Sequence, residues 1–334
     1  MRDLPRIKIA HLPTPVEYLP NLTGLFCGPK IYAKRDDQTG LAMGGNKARK
    51  LEFLLAEALI LGADTVITAG AAQSNHCRQT AAAAARCQLA CILILFGDEP
   101  VNHTANLLLD DLFGAQVRWA RREHRDAELD AAFQDATTNG RRPYLIPYGG
   151  SNPVGACGYV HAIGELLEQW DETLMNNSLP EWIILPSGSG GTQAGLVLGA
   201  NLFHYSGRIL GISVDEQADA LKDRVTRLAT DTAEFLGIEE PIAEPDVLVN
   251  SDYLGGGYGV VGQAEIEAIQ TFARSEGLVL DPVYTGRAAA GMMDLIRKNT
   301  FRADESILFW HTGGVPALFA DRYSGLFKQL LTAE

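Results

Sequence analysis

Asp64-Thr65-Val66-Ile67-Thr68-Ala69-Gly70-Ala71-Ala72-Gln73-Ser74-Asn75-His76 decides how the chain folds. Residues 64–69 read as a buried strand, a glycine and small polar residues turn the chain, and an Ala-rich helix runs over 75–86. The alternation continues outward. Downstream, strands fall at 91–96, 116–119 and 143–146, with helices at 102–113 and 123–137. After the loop Tyr148-Gly149-Gly150-Ser151-Asn152-Pro153 a second block follows, with strands at 181–185, 208–213 and 307–310. Its helices fall at 154–169, 191–203, 218–235, 262–275 and 286–298. Upstream, residues 31–35 read as a short strand, whereas the Pro-punctuated opening through Pro20 reads as irregular. Continuous apolar strands alternating with helices predict parallel sheets covered on both faces, and right-handed crossovers make them doubly wound. At 334 residues the chain is long for one core. The expectation is an α/β fold of two doubly wound parallel-sheet domains. Residues 1–46 with 151–334 form the larger, 47–150 the smaller, and the active site lies in the cleft between them.

Composition narrows the function. The chain is 46% apolar and 21% charged with net charge −13, which is globular and has no sustained basic stripe. Nucleic acid is not the expected partner. Cys27, Cys77, Cys87, Cys91 and Cys157 are odd in number and lack paired CxxC spacing, so free thiols and no metal are expected. The first residues lack the apolar segment of a signal peptide, and no 18-residue apolar run exists. A soluble, cytoplasmic protein with no membrane partner is the expectation.

Chemistry gathers in the loops. Gly44-Gly45-Asn46-Lys47 opens the amphipathic run 51–59, with Asn46 a good N-cap residue and Lys47 in the first turn. An amine in a positive field and a partly dry pocket has a lowered pKa, as a lysine nucleophile toward carbonyls requires. A solvated helix start would explain the basic residues by themselves. Ser187-Gly188-Ser189-Gly190-Gly191-Thr192 follows a strand and opens a helix, so successive N–H groups and the Thr192 hydroxyl can cup a phosphate. It lacks the Gly-Lys-Ser/Thr ending of a nucleotide-triphosphate loop. A dinucleotide alternative has only Asp215 as a ribose candidate. Gln73-Ser74-Asn75-His76 offers donors to a carboxylate, although Ser and Asn also cap helices, and His76 can be purely structural. Asp281-Pro282-Val283-Tyr284-Thr285 and His311-Thr312-Gly313-Gly314 add polar groups at other strand ends. A lysine that traps carbonyls and a phosphate cup, without metal spacing, point to pyridoxal phosphate, whose ring acts as an electron sink. The rivals from other classes are a nucleotide-binding dehydrogenase and a non-catalytic small-molecule sensor.

These motifs, with Lys34-Arg35-Asp36-Asp37, resemble in order the D-cysteine desulfhydrase and 1-aminocyclopropane-1-carboxylate deaminase family over about residues 8–320. That family belongs to the fold-type II pyridoxal phosphate enzymes, similar to the tryptophan synthase β subunit. The resemblance implies that Lys47 carries the cofactor covalently and then moves the Cα proton. It implies that Asn75 bonds the ring hydroxyl and that Gly188, Ser189, Gly190, Gly191 and Thr192 hold the phosphate. Ser74, with Gln73, Asn75 and His76, would bind a small amino-acid substrate. Tyr258 would lie against the ring and Tyr284 would face the substrate. In the deaminase branch a glutamate follows the tyrosine and pairs with the ring nitrogen, and the late loop reads His-Leu-Gly-Gly. Here Thr285 and Thr312 stand at those places, which implies a weaker electron sink suited to a good leaving group such as a thiolate. Arg287 and Cys77 depart from the residues frequent in the family. β-Elimination from D-cysteine is the implied reaction, with the deaminase and an L-cysteate sulfo-lyase as alternatives. A homodimer is the family expectation.

Overall fold

The chain opens with β1 (Val16–Tyr18), α1 (Pro20–Phe26) and β2 (Lys30–Lys34). Next come α2 (Lys47–Ile60), β3 (Thr65–Ala71), α3 (Asn75–Arg86), β4 (Ala90–Phe96), α4 (Asn106–Leu112), β5 (Gln116–Ala120), α5 (Arg125–Thr138) and β6 (Pro143–Leu145). α6 (Pro153–Thr173) leads to β7 (Trp182–Ser187), α7 (Gly191–Leu202), β8 (Arg208–Ser213), α8 (Ala218–Leu236) and β9 (Leu248–Asn250). The last elements are α9 (Gln263–Glu276), α10 (Thr285–Arg297) and β10 (Ser306–Trp310). This computed structural model describes residues 4–173, 178–238 and 247–326.

The strands form two sheets, ordered β1-β2-β10-β7-β8-β9 and β5-β4-β3-β6. Each has helices on both faces, as apolar parallel strands require. On the larger sheet, Tyr159, Leu166 and Trp170 of α6 pack with Leu196 of α7 and Val225 of α8. Leu22 of α1, Phe272 of α9 and Met292 of α10 fill the opposite face. On the smaller sheet, Leu51 and Leu54 of α2 pack with Ala81 and Ala84 of α3, and Ala132 and Ala136 of α5 cover the back.

Three elements were not anticipated in the sequence. Within the opening read as irregular, β1 pairs antiparallel with β2 at the sheet edge, the exception among otherwise parallel described pairings. Three residues are too few to show a period, which hides β1. α1 starts on Pro20, whose fixed φ suits a first helical turn, and ends at Cys27 in the left-handed region. β9 is a third omission, again three residues long. The capping role expected of Asn46 is also corrected. Asn46 has helical φ/ψ and no side-chain cap bond; instead Gln79 of α3 accepts the Ala48 N–H at 2.8 Å.

A buried ionic cluster ties α2 to the larger sheet. The Asp36 carboxylate accepts from Arg49 Nε and Nη2 (2.8–3.0 Å), Thr14 Oγ1 (2.9 Å), Tyr159 OH (2.6 Å) and Trp310 Nε1 (2.8 Å). Arg49 also reaches both oxygens of Glu165 at 2.8 Å, and Lys34 Nζ reaches one at 2.6 Å. Burial alone would raise the Asp36 carboxyl, but Arg49 and then Lys34 outweigh it and hold the group below its ordinary range. Arg49 is two residues past Lys47, so this cluster sets where the first turn of α2 sits.

Candidate active site

The carboxyl ends of β3, β7, β8 and β10 converge with the start of α2 on one cleft. It is lined by Lys47, Ser74, Asn75, His76, Gly188, Ser189, Gly190, Thr192, Tyr284 and Thr312. Lys47 and the glycine turn therefore share a cavity, although 141 positions separate Lys47 from Gly188. Asn46, next to Lys47, ties the start of α2 both to the glycine turn and to the loop after β10. Asn46 Nδ2 donates to Thr192 Oγ1 at 3.0 Å, and the Asn46 N–H donates to the Thr312 carbonyl at 2.9 Å.

Burial alone lowers the Lys47 amine to about 8, and the group takes no hydrogen bond or ion pair among the described residues. Roughly a tenth of the amine is then neutral at pH 7, against well under a thousandth for an ordinary lysine, which favours a nucleophile or proton carrier. His76 lies beside it. Burial first, then Lys47 and Lys50, push His76 well below its usual range, so the ring is neutral. Thr68 Oγ1 donates to the Ile146 carbonyl at 2.8 Å, leaving its lone pair for His76 Nε2–H at 2.9 Å. His76 Nδ1 is thus a bare acceptor, buried and without a partner.

The cup is built by backbone geometry. Gly190 is left-handed (φ 84°) and caps α7, which begins at Gly191. The Gly191 N–H donates to Ser151 Oγ at 3.2 Å, and Ser151 Oγ meets Ser189 Oγ at 2.8 Å. Lys50, one turn beyond Lys47, donates to the Gly149 carbonyl and Ser151 Oγ at 3.1 Å each. Burial and Lys47 hold its amine well below the usual lysine range. A cluster of N–H groups, hydroxyls and an amine fits an anion with several oxygens. The residues present fit a phosphate-bearing aldehyde.

Not every expected residue faces the cleft. Ser74 lines it while capping α3, its Oγ accepting the Cys77 N–H at 3.1 Å. Gln73 and Tyr258 line a neighbouring cavity with Phe96, Val283 and Tyr323. Tyr258 reaches the site through its hydroxyl, 2.8 Å from that of Tyr284, with the rings edge to face. Thr285 is fully buried behind Tyr284. Its Oγ1 donates to Asp281 Oδ1 and accepts the Asp281 N–H, both at 2.7 Å, so its hydroxyl is committed to the start of α10. Thr312 lines the cleft and Thr285 does not. Lys50, Tyr148, Ser151 and Ser187 were not singled out from the sequence. Gly149-Gly150, both at positive φ, was the signal that residues 148–151 form a tight loop rather than a plain domain break. Asp215 lies in the cleft at the end of β8, its carboxyl raised by burial and then by Glu216.

A buried lysine with a lowered pKa that shares one cleft with a glycine turn rich in N–H groups and hydroxyls fits a class, enzymes that work through a phosphate-bearing aldehyde. The chain belongs to the pyridoxal-phosphate-dependent enzyme family, which it matches over residues 7–313. It is 44% identical to D-cysteine desulfhydrase of Salmonella typhi over 324 residues, 95% of this chain and 96% of the relative. The same figures hold for D-cysteine desulfhydrase of Salmonella newport (strain SL254). A solved structure of an ACC deaminase homologue shares 37% identity with a TM-score of 0.86, covering 98% of this chain and 96% of that one. A fungal L-serine ammonia-lyase from Rhizomucor miehei, at 15% identity and TM-score 0.68 over 96% and 99% of the two chains, shares the fold. Family membership replaces the dehydrogenase and sensor alternatives. No described helix is long and apolar enough to cross a membrane.

The cup makes a testable demand. A Cβ at position 191 would meet Ser151 Oγ at 2.5 Å and Lys50 Nζ at 2.8 Å, both inside contact distance. Gly191→Ala must push the serine and the amine off the cup. Loss of a charge-assisted bond is worth roughly tenfold in affinity or more. Titrating the apo-protein with pyridoxal phosphate should show that loss; unchanged affinity would mean that Lys50 and Ser151 do not meet the phosphate.

Proposed function

We propose that the protein is a D-cysteine desulfhydrase, cleaving D-cysteine or a close β-substituted D-alanine by β-elimination to pyruvate, ammonia and hydrogen sulfide. One observation carries the reading. The lysine, the cup and Thr312 share one cleft, in a chain 44% identical over nearly its whole length to a D-cysteine desulfhydrase. Bound pyridoxal phosphate supplies an electron sink that acidifies the substrate Cα–H. Lys47 would hold it covalently at Nζ and, once displaced, accept the Cα proton there, for which an amine titrating at about 8 is suited. The N–H groups of 188–192, the hydroxyls of Ser189, Thr192 and Ser151, and the Lys50 amine would hold the phosphate. Asn75 would donate to the ring hydroxyl, and Thr312 would present its hydroxyl to the ring nitrogen. The Ser74 hydroxyl would bind the substrate carboxylate, whereas the Gln73 amide is spent on Asn106 and Thr104 and the bare His76 Nδ1, an acceptor, is suited to a donor rather than to a carboxylate. The joined hydroxyls of Tyr258 and Tyr284 would face the substrate and keep water out. Burial, then Tyr258, raises Tyr284 well above its usual range, so it acts as a neutral hydrogen-bond donor.

Residues 1–46 with 151–334 as the larger domain and 47–150 as the smaller agree with the division of the strands between the two sheets. A cytoplasmic homodimer completes the reading. The ACC deaminase homologue at 37% identity favours cyclopropane opening as the second possibility, and cysteate is a third candidate substrate. Incubation with D-cysteine and 3-chloro-D-alanine should release pyruvate from both and sulfide from the first. Silence on both, with turnover of 1-aminocyclopropane-1-carboxylate or sulfite release from L-cysteate, would reassign the enzyme.

A further inference from the structure

Behind Asn75 lies a closed polar network that the functions above do not use. Asn75 opens α3 and Asn106 opens α4, on separate elements of the smaller sheet. Asn75 Oδ1 accepts from Asn106 Nδ2 at 2.9 Å and from Arg78 Nη1 at 3.3 Å. Asn106 Oδ1 accepts from the same Arg78 nitrogen at 2.9 Å. Asn106 Nδ2 also donates to the Gln73 carbonyl at 2.9 Å, and its backbone N–H donates to Gln73 Oε1 at 3.0 Å. Arg78 Nη2 donates to the Gly44 carbonyl at 2.8 Å, just before the lysine-bearing turn. Arg78 and Asn106 are fully buried.

An asparagine amide has two unlike ends, an acceptor oxygen and a donor nitrogen. Turning Asn75 over would set its NH₂ against an amide NH₂ and a guanidinium, leaving buried donors without acceptors. The network therefore admits one orientation. Nδ2 is the end left free to serve the cleft, and the bare Gly314 makes room beside it, since a Cβ there would meet Nδ2 at 2.6 Å.

We propose that Asn106 and Arg78 are positioning residues that lock Asn75 as a hydrogen-bond donor toward the ring-hydroxyl oxygen of the cofactor, and so set cofactor affinity from outside the cleft. The proposal rests on the cofactor roles given above. It also explains why Gln73 belongs to this loop while lining a different cavity: its amide anchors Asn106.

Asn106→Asp tests it, because the substitution keeps the shape and the acceptor for Arg78 but removes the donor to Asn75 Oδ1. Apo-protein carrying it should bind pyridoxal phosphate roughly tenfold or more weakly. In an Asn75→Ala background the same change should cost less than about twofold, because the amide it orients is gone. Asn106→Ser, which removes the Nδ2 donor without adding a charge, should repeat the pattern. Wild-type affinity in both single variants, or an undiminished loss in the Asn75→Ala background, would overturn the proposal. Failure of the wild-type apo-protein to bind pyridoxal phosphate at Lys47 would instead sink the cofactor roles on which it rests.

Discussion

Lys47→Met is expected to lower turnover by at least about 10³-fold and, at the same time, to make the apo-protein more stable near neutral pH. The first effect follows from removing the one amine that can both hold the cofactor and carry the Cα proton. Borohydride reduction and mass spectrometry should place the cofactor on Lys47 in the wild type and nowhere in the variant. The second effect follows from burial. The amine titrates at about 8 in the fold and near 10.4 in an unfolded chain. Between those values the unfolded state binds more protons, so wild-type apo-protein gains stability as pH rises through the window. Below about pH 8 the folded lysine carries its full penalty, on the order of 1–3 kcal/mol once the partly open side chain is allowed for. The variant lacks that penalty and one proton's worth of the slope, while buried Lys50 keeps its own. Urea denaturation of both apo-proteins at pH 7 and pH 10 decides it. An equal or less stable variant at pH 7 would mean that Lys47 is not held against its own charge.

Asp36→Ala should cost about 3–5 kcal/mol, the range for breaking a buried ion pair from one side. The change leaves Arg49 with only Glu165 opposite it and strips acceptors from Tyr159 OH and Trp310 Nε1, all at buried positions. Replacing both partners, Asp36→Leu with Arg49→Met, should recover a substantial part of the loss, since no charge is then stranded. The pH dependence has a definite sign. Burial opposes ionisation at Asp36 and Glu165, but Arg49 and Lys34 hold both carboxyls below their ordinary values. Their contribution is present above about pH 4 and is lost as pH falls through the folded values. A wild-type unfolding midpoint in Asp36→Ala would show that the cluster does not hold α2 in place.

Much of this was open to reading in the chain. A strand such as 91–96 is continuously apolar because both sheet faces are covered, and that pattern survives in one dimension. The glycine turn 188–191 and Lys47 are legible for a similar reason, since each is a local strand-end or helix-start feature with its own chemistry. β1 and β9 escaped because three residues carry no period.

What the linear order determined alone is the class of fold and the kind of cofactor, for both are written in short segments whose meaning needs no partner. Only the tertiary structure decided which of two threonines faces the cleft, because Asp281 claims the Thr285 hydroxyl and nothing in the spacing announces that bond. It likewise decided that Asn46 spans to Thr192 rather than capping its own helix, and that Lys50 and Ser151 meet at the cup. Hydrogen bonds between residues 100 or more positions apart depend on where packing brings two elements together, and that information is spread over the whole core rather than held in either segment.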